Sequence, residues 1–372
     1  MMATDAKGSL RVLLATPFPP PDGGITNWSR IILSALKKDE RVECQTIDIS
    51  LKAEAADRGL IANAMGLWRI LSLAKDTFKS SSKSNQSVLH ICSSGGKGFL
   101  RDLLLTKAAH RHSIPVILHF HFGRIPSLLE GSSLESYLLA SVLKKSDGLV
   151  AMDQATYGAL VSYGAEKRSF LIPNPIDISA LECPEGIRYN QVVFVGHVNE
   201  HKGIFDLLKA WDSTCARNAG ARLKIIGPVQ PEFEERISRW ILRDDVMFTG
   251  SLSHDEVLAE IAASKCLVLP SYTEGFPNVI LEAFAMKTPV VASDVGALPE
   301  MLSDGAGIVV SPGDIDGIRV AIDRVLSEDS FAKQIGARGR DKAVKEYSDD
   351  NVEEALYKCW TEVRRNYQIE DV

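Results

Sequence analysis

Glu274 and Glu282, with seven residues between them, are the two residues of this 372-residue chain whose type and spacing most directly suggest chemistry. They lie in Ser271-Tyr-Thr-Glu274-Gly275-Phe276-Pro277-Asn278-Val279-Ile-Leu-Glu282-Ala-Phe-Ala-Met286. Ahead of them, Cys266-Leu-Val-Leu-Pro270 is a short apolar run ended by proline, the pattern of a buried strand in a parallel sheet. Behind, Asn278 to Met286 carries helix formers and an apolar stripe, and Pro277 suits a helix start. A strand, a loop and a helix N-terminus leave unpaired backbone N–H groups at the carboxyl end of a strand. Open α/β sheets bind ligands there, and the helix dipole favours a phosphate. Gly275 lets the backbone approach that ligand. Carboxylates accept hydrogen bonds from paired sugar hydroxyls, so the stretch is suited to hold a phosphate between two sugars. The plain alternative is a loop acid at 274 and a solvated helix residue at 282.

The longer pattern resembles the nucleotide-sugar site of glycosyltransferase family 4, retaining enzymes of the GT-B fold, of the bacterial polysaccharide and lipopolysaccharide type. It comprises Glu-Gly-Phe-Pro-Asn at 274–278, Glu282 and Thr288-Pro-Val-Val-Ala-Ser-Asp-Val-Gly296. A second stretch, Gly196-His197-Val-Asn-Glu-His-Lys202-Gly203, resembles the family's loop in which an arginine follows the first glycine and a lysine lies five residues later, both gripping the donor diphosphate. Lys202 matches. His197 stands where the arginine is expected, which removes a guaranteed positive charge at neutral pH. The resemblance implies that Glu282 holds the ribose hydroxyls and Glu274 the donor sugar, with the backbone of Gly275 and Phe276 beside it. Lys202 and the amides near Asn278 and Val279 then take the charge building on the leaving diphosphate, with Pro277 beside them on the donor side, and His197 adds a hydrogen bond. It also implies retention by attack on the face from which the diphosphate departs. A covalent nucleophile at Glu274 would need a second acid, and none is evident. No Asp-x-Asp motif is present, so neither a metal nor a cofactor is expected.

The first half supplies the remaining candidates. Leu10–Ala15 is a strand leading through Gly23-Gly24 into a helix near 28–38, a turn whose amides can meet a phosphate or a sugar. The resemblance places Gly23 and Gly24 near the donor diphosphate and the acceptor, although by itself the pair is an ordinary turn. Ser87–Ser94 is a strand feeding Gly95-Gly96-Lys97-Gly98-Phe-Leu-Arg101 and a helix at 99–112. Arg101 occupies the third glycine position of a dinucleotide fingerprint, and no Ser or Thr follows Lys97 as a P-loop requires. Lys97, Arg101 and Arg124 are instead candidate contacts for an anionic acceptor. In Pro115-Val-Ile-Leu-His119-Phe-His121-Phe-Gly123-Arg124, period two puts both histidines on one side of a strand. The spacing would suit a metal, but no carboxylate or cysteine cluster accompanies it. In the resembling family a histidine closing this strand faces the donor sugar near its reacting carbon. That role falls to His121 by its place before Phe-Gly, with His119 as its structural neighbour. Residues 52–87 read as a helix with a polar tail, and Ile61–Lys75 with Lys79 and Lys83 has the character of a basic amphipathic helix. Such a helix either lies on an anionic membrane or is an ordinary packed surface helix.

These stretches must be positioned by alternating β and α elements along the whole chain, which implies two doubly wound parallel sheets of Rossmann-like type facing a cleft. The expected organisation is an acceptor-side domain at 1–176, a linker at 177–190, a nucleotide-sugar domain at 191–348 and a C-terminal helix, about 349–366 within 349–372, returning to the first domain. Pro173-Asn-Pro175-Ile-Asp177, before the linker, is similar to the family's Pro-Asn-Gly-Ile-Asp with Pro175 replacing glycine. The length exceeds one usual core, and 45% hydrophobic with 24% charged residues is ordinary for a globular chain. Six cysteines form no C-x-x-C pair, so no zinc site or disulfide framework is implied. Residues 1–190 carry 22 Lys+Arg against 18 Asp+Glu, and the remainder 20 against 30. A basic half on an acidic chain argues against general nucleic-acid binding and suits an anionic surface or acceptor on that half. The N-terminus has no signal-peptide character, so a cytoplasmic protein, peripheral on the inner face of the membrane, is expected. The expected activity is transfer from a UDP-linked rather than GDP-linked sugar to a lipid-linked saccharide. A soluble-acceptor synthase, a sugar-nucleotide epimerase of the same fold and a non-catalytic nucleotide-sugar-binding protein are the alternatives.

Overall fold

The computed structural model describes residues 9–19, 23–50, 59–81, 86–181 and 188–370. The chain divides into two units, Met1–Pro175 with Asp349–Val372, and Ile176–Ser348. Residues 182–187 of the expected linker, and 52–58 and 82–85 around the basic helix, lie outside the described residues.

The first unit is a six-stranded sheet of β1 (Leu10–Thr16), β2 (Val42–Asp48), β3 (Ser87–Ser93), β4 (Val116–Phe120), β5 (Gly148–Ala151) and β6 (Ser169–Leu171). Its order is β2-β1-β3-β4-β5-β6, and every pairing is parallel. The connections are α1 (Gly24–Leu36), α2 (Gly59–Ser81), α3 (Gly98–His110), α4 (Ile125–Glu130), α5 (Leu134–Leu143) and α6 (Gln154–Ser162). Period two divides the strands between two cores. Leu13, Ala15, Leu89, Ile91, Leu118 and Phe120 pack with Ile70, Phe78 and Phe99, whereas Val12, Leu14, Val88, Cys92 and Ile117 pack with Trp28 of α1 and with Leu356, Trp360 and Val363. The last three belong to the C-terminal helix, which therefore covers one face of the first sheet, as the GT-B resemblance implied.

The second unit contains β7 (Tyr189–Val195), α7 (Ile204–Arg217), β8 (Arg222–Ile226), α8 (Glu234–Ile241), β9 (Val246–Gly250), α9 (His254–Ala263), β10 (Ser264–Leu269), α10 (Asn278–Ala285), β11 (Val290–Ser293), α11 (Leu298–Met301), β12 (Ile308–Val310), α12 (Ile315–Ser327) and α13 (Asp329–Glu346). The C-terminal helix of the first unit is α14 (Asp349–Glu370). The parallel sheet order β12-β11-β10-β7-β8-β9 is that of a Rossmann fold, with the strand order reversing between β7 and β10.

Several elements were not foreseen. Strand β2 lies at a sheet edge with only Val42 and Ile47 buried, so Val-Glu-Cys-Gln-Thr-Ile-Asp shows no alternation to read. Helices α4 to α6, α12 and α13 were not anticipated either. Among the described residues no helix is long and apolar enough to cross a membrane.

Where α14 passes the residues that lead into β2, Arg41 joins Asp39 at 2.9 Å, Glu354 at 2.8 Å and Glu353 at 3.6 Å. Burial and the neighbouring Asp39 push Glu353 up to about 7 from an ordinary 4.5, while Arg41 holds Asp39 below its usual range. The folded chain therefore keeps the Glu353 proton to higher pH than the unfolded chain, and stability falls as pH rises between about 4.5 and about 7. We expect Glu353→Gln to flatten this decline by about 1–2 kcal/mol after solvent screening. Urea unfolding across that pH range measures it, and parallel curves for the two proteins would contradict it.

Candidate donor site and the histidine cluster

The loops that leave β7 and β10 are those at the switch point of the second sheet, where a doubly wound fold binds its ligand. After β7 the chain forms a single helical turn, Glu200–Lys202, capped by Asn199, whose Oδ1 accepts from the Lys202 amide at 3.0 Å. Gly203 ends that turn at φ 67°, and a Cβ there would lie 1.9 Å from the Pro270 carbonyl oxygen, so only glycine lets the two loops approach this closely. Across this contact Lys202 Nζ donates to Glu274 Oε1 at 2.7 Å, and Ser271 Oγ donates to the same oxygen at 2.6 Å. Lys202 is half-buried and Glu274 nearly enclosed.

The Glu274–Gly275 backbone is held from the next loop. Ala297 N–H donates to Gly275 O at 3.1 Å, and Gly296, at φ 57°, would place a Cβ 2.3 Å from Glu274 O. This explains physically why the Glu-Gly-Phe-Pro-Asn run and the later Ser293-Asp-Val-Gly296 occur in one pattern. Phe276 is buried with its ring edge-on to Tyr347, centroids 5.7 Å apart. Pro277 is the extended residue before α10, and no side chain caps that helix, so Asn278 and Val279 open its positive end. Glu282, on the same helix, is 6% exposed, which removes the solvated-residue alternative. Its Oε1 meets His254 Nε2 at 3.0 Å. His254 was missed, though Ser253-His-Asp-Glu256 signals a capping box, and Ser253 Oγ and Glu256 do form one at the start of α9. His197 is exposed beside Gly196. Among the described residues no group of three His, Cys, Asp or Glu is arranged to hold a metal.

In the first unit the candidates separate. The Gly23 N–H donates to Thr26 Oγ1 at 2.7 Å within the turn that starts α1, and Gly24 is exposed as the first residue of that helix. Lys97 is exposed at the start of α3. Arg101 is committed to the buried Asp102 at 2.7 and 2.9 Å and to Ile49 O at 3.4 Å. Burial raises the Asp102 carboxyl while Arg101 pulls it down. Arg124 forms a fork on Glu135 at 3.0 and 3.2 Å, and Glu135 also accepts the Gly96 N–H at 2.9 Å. Two of the three cations thus already have carboxylate partners.

The histidines do come together. His119 and His121 lie on one side of the strand end with ring centroids 4.0 Å apart, and Trp28 approaches them at 5.2 and 5.1 Å. His90 of β3 joins them, its Nε2 3.2 Å from His119 Nδ1, while Trp360 Nε1 donates to His90 Nδ1 at 3.0 Å. Burial lowers His90 and His121 to about 3 and His119 well below its ordinary value, so all three rings are neutral. The nitrogens Trp28 Nε1, His119 Nε2 and His121 Nε2 are buried without a protein hydrogen-bond partner.

The family described as glycosyl transferases group 1 matches residues 184–342. An uncharacterized glycosyltransferase of Methanocaldococcus jannaschii is 25% identical over 369 residues, 96% of this chain and 98% of that one. The O-antigen chain mannosyltransferase B of Escherichia coli is 35% identical over 124 residues, 33% of this chain and 30% of that one. The chain spans less than half the length of several curated relatives that it matches. The crystal structure of Anabaena Alr3699/HepE in complex with UDP-glucose shares the fold, with a TM-score of 0.71 at 15% identity, covering 95% of this chain and 100% of that one. Residues 184–342 thus match the glycosyl transferases group 1 family, and the chain shares the two-sheet GT-B fold of the Anabaena structure.

Proposed function

We propose that the chain is a retaining glycosyltransferase of family 4 that moves a sugar from a UDP-linked donor to a saccharide acceptor, lipid-linked, in cell-surface polysaccharide synthesis. The observation that carries this reading is the Lys202–Glu274 pair at the switch point of the second sheet, beside the uncapped start of α10 and the buried Glu282. The UDP-glucose of the Anabaena structure supports the donor class, and the O-antigen chain named for the Escherichia coli relative supports the acceptor class.

In this reaction the bond from the anomeric carbon to the diphosphate oxygen breaks and its electron pair stays on the diphosphate. Lys202 and the amides opening α10 are fixed donors aimed at that growing charge, the kind of group whose removal costs about 3–4 kcal/mol elsewhere. Glu274 exchanges its bond to Lys202 for the donor sugar's hydroxyls, and Glu282, oriented by His254, accepts from the ribose. The acceptor oxygen bonds to the anomeric carbon on the departing face, and its proton passes to the diphosphate. Neither a metal nor a cofactor enters this scheme. The sugar-facing role that the family resemblance implies is assigned to His121. Lys202→Ala is expected to lower kcat for nucleotide release from the sugar nucleotide by about 10²–10³-fold while leaving the thermal midpoint within a few degrees. Undiminished turnover would contradict the assignment.

The outer side of α2 supports contact with an anionic membrane. Met65 and Trp68 are 67% and 74% exposed, Leu73 is half exposed, and Lys75 and Lys79 follow on the exposed side. Arg69, by contrast, is turned to Ser50 O at 2.8 Å. Co-sedimentation with vesicles of anionic lipid is expected to fall several-fold in Trp68→Ser. Equal binding by both proteins, or binding to neutral vesicles alone, would contradict it.

A further inference from the structure

Among the described residues, both hydrogen bonds to the Glu274 carboxylate end on one oxygen. Lys202 Nζ donates to Oε1 at 2.7 Å and Ser271 Oγ to the same atom at 2.6 Å, while Oε2 accepts from no described residue and is not closed off from solvent. The two donors are held differently. Ser271 is fully buried just past the end of β10, so its short side chain is fixed by the packing around it. Lys202 is half-buried and carries its ammonium on a flexible four-carbon stem, so it can turn to another anion while its loop stays in place.

One ammonium cannot neutralise two anions. In this structure it neutralises Glu274, and a carboxylate so paired attracts hydroxyl protons weakly. A diphosphate carries more negative charge than one carboxylate and draws the ammonium to itself. Glu274 is then a nearly enclosed anion with one remaining bond, a costly state until hydroxyl protons replace the lost cation. We propose, on the donor-site reading above, that the Lys202–Glu274 pair is a latch opened by the diphosphate of a sugar nucleotide. Ser271 is the positioning residue that holds Oε1 through the exchange, so that Oε2 and the vacated side of Oε1 face a pair of sugar hydroxyls. The sugar is thereby recognised only with the diphosphate in place.

Calorimetric titration of the full chain with UDP, UDP-glucose, UDP-galactose and UDP-N-acetylglucosamine tests the latch. The quantity read is the affinity of the tightest-bound conjugate relative to that of UDP. Glu274→Gln releases Lys202 and is expected to bind UDP about 3- to 10-fold more tightly than the wild type, while the relative affinity of the conjugate falls at least about tenfold. Ser271→Ala keeps the ion pair and is expected to bind UDP within about twofold of the wild type, with the relative affinity of the conjugate lowered about 5- to 20-fold. Weaker UDP binding by Glu274→Gln than by the wild type overturns the latch. An unchanged relative affinity in Ser271→Ala overturns the part given to Ser271, and both results leave the donor site standing. If the wild-type chain binds none of the four, the donor reading and the latch fall together.

Discussion

The ion pair between Lys202 Nζ and Glu274 Oε1 ties together the two loops on which the second unit's site depends. One loop follows β7 and the other β10, the strands between which the sheet order reverses. Their approach needs Gly203, because any Cβ would fall on the Pro270 carbonyl, and the carboxylate is further held by Ser271. The pair joins a cation and an anion that would each be costly to enclose alone. It also leaves one group suited to a diphosphate and one suited to sugar hydroxyls, presented from rigid strand ends with Glu282 buried on the following helix.

The first unit is organised by burial. Its sheet sets histidines at 90 and 119 among the apolar residues of one face, where no charge is tolerated, with their ring nitrogens 3.2 Å apart. The Trp360 indole of α14 donates to His90 Nδ1, so a residue near the C-terminus fixes which nitrogen of that buried ring accepts. This gives the returning helix a chemical role in addition to covering apolar surface.

The second unit's site was legible because its parts are local in sequence. Glu274, Gly275 and Glu282 fall within one strand-loop-helix unit, and Lys202 stands at a fixed distance from Gly196 in another. Period two sufficed to bring His119 and His121 to one side. The unread parts depend on long-range packing. Trp360 lies 270 positions from His90, and nothing near either residue announces the other. His254 meets Glu282 only because α9 and α10 pack against each other, although its capping box could have marked the helix start. Arg101 and Arg124 looked available as cations, but their partners Asp102 and Glu135 are chosen by burial and helix placement. The edge position of β2 hid a strand whose side chains are mostly outside the core.

The central claim is that a nucleotide diphosphate sugar binds the second unit through Glu282, Glu274 and Lys202. Its most direct test is thermal stabilisation of the wild-type and Glu282→Ala proteins by UDP, GDP, ADP and their sugar conjugates. A ligand at 100 times its dissociation constant adds ~2.7 kcal/mol of stability. A shift of that order is expected with UDP and its sugars alone, and is lost in Glu282→Ala. No shift with any nucleotide, or a shift that survives Glu282→Ala, would contradict it.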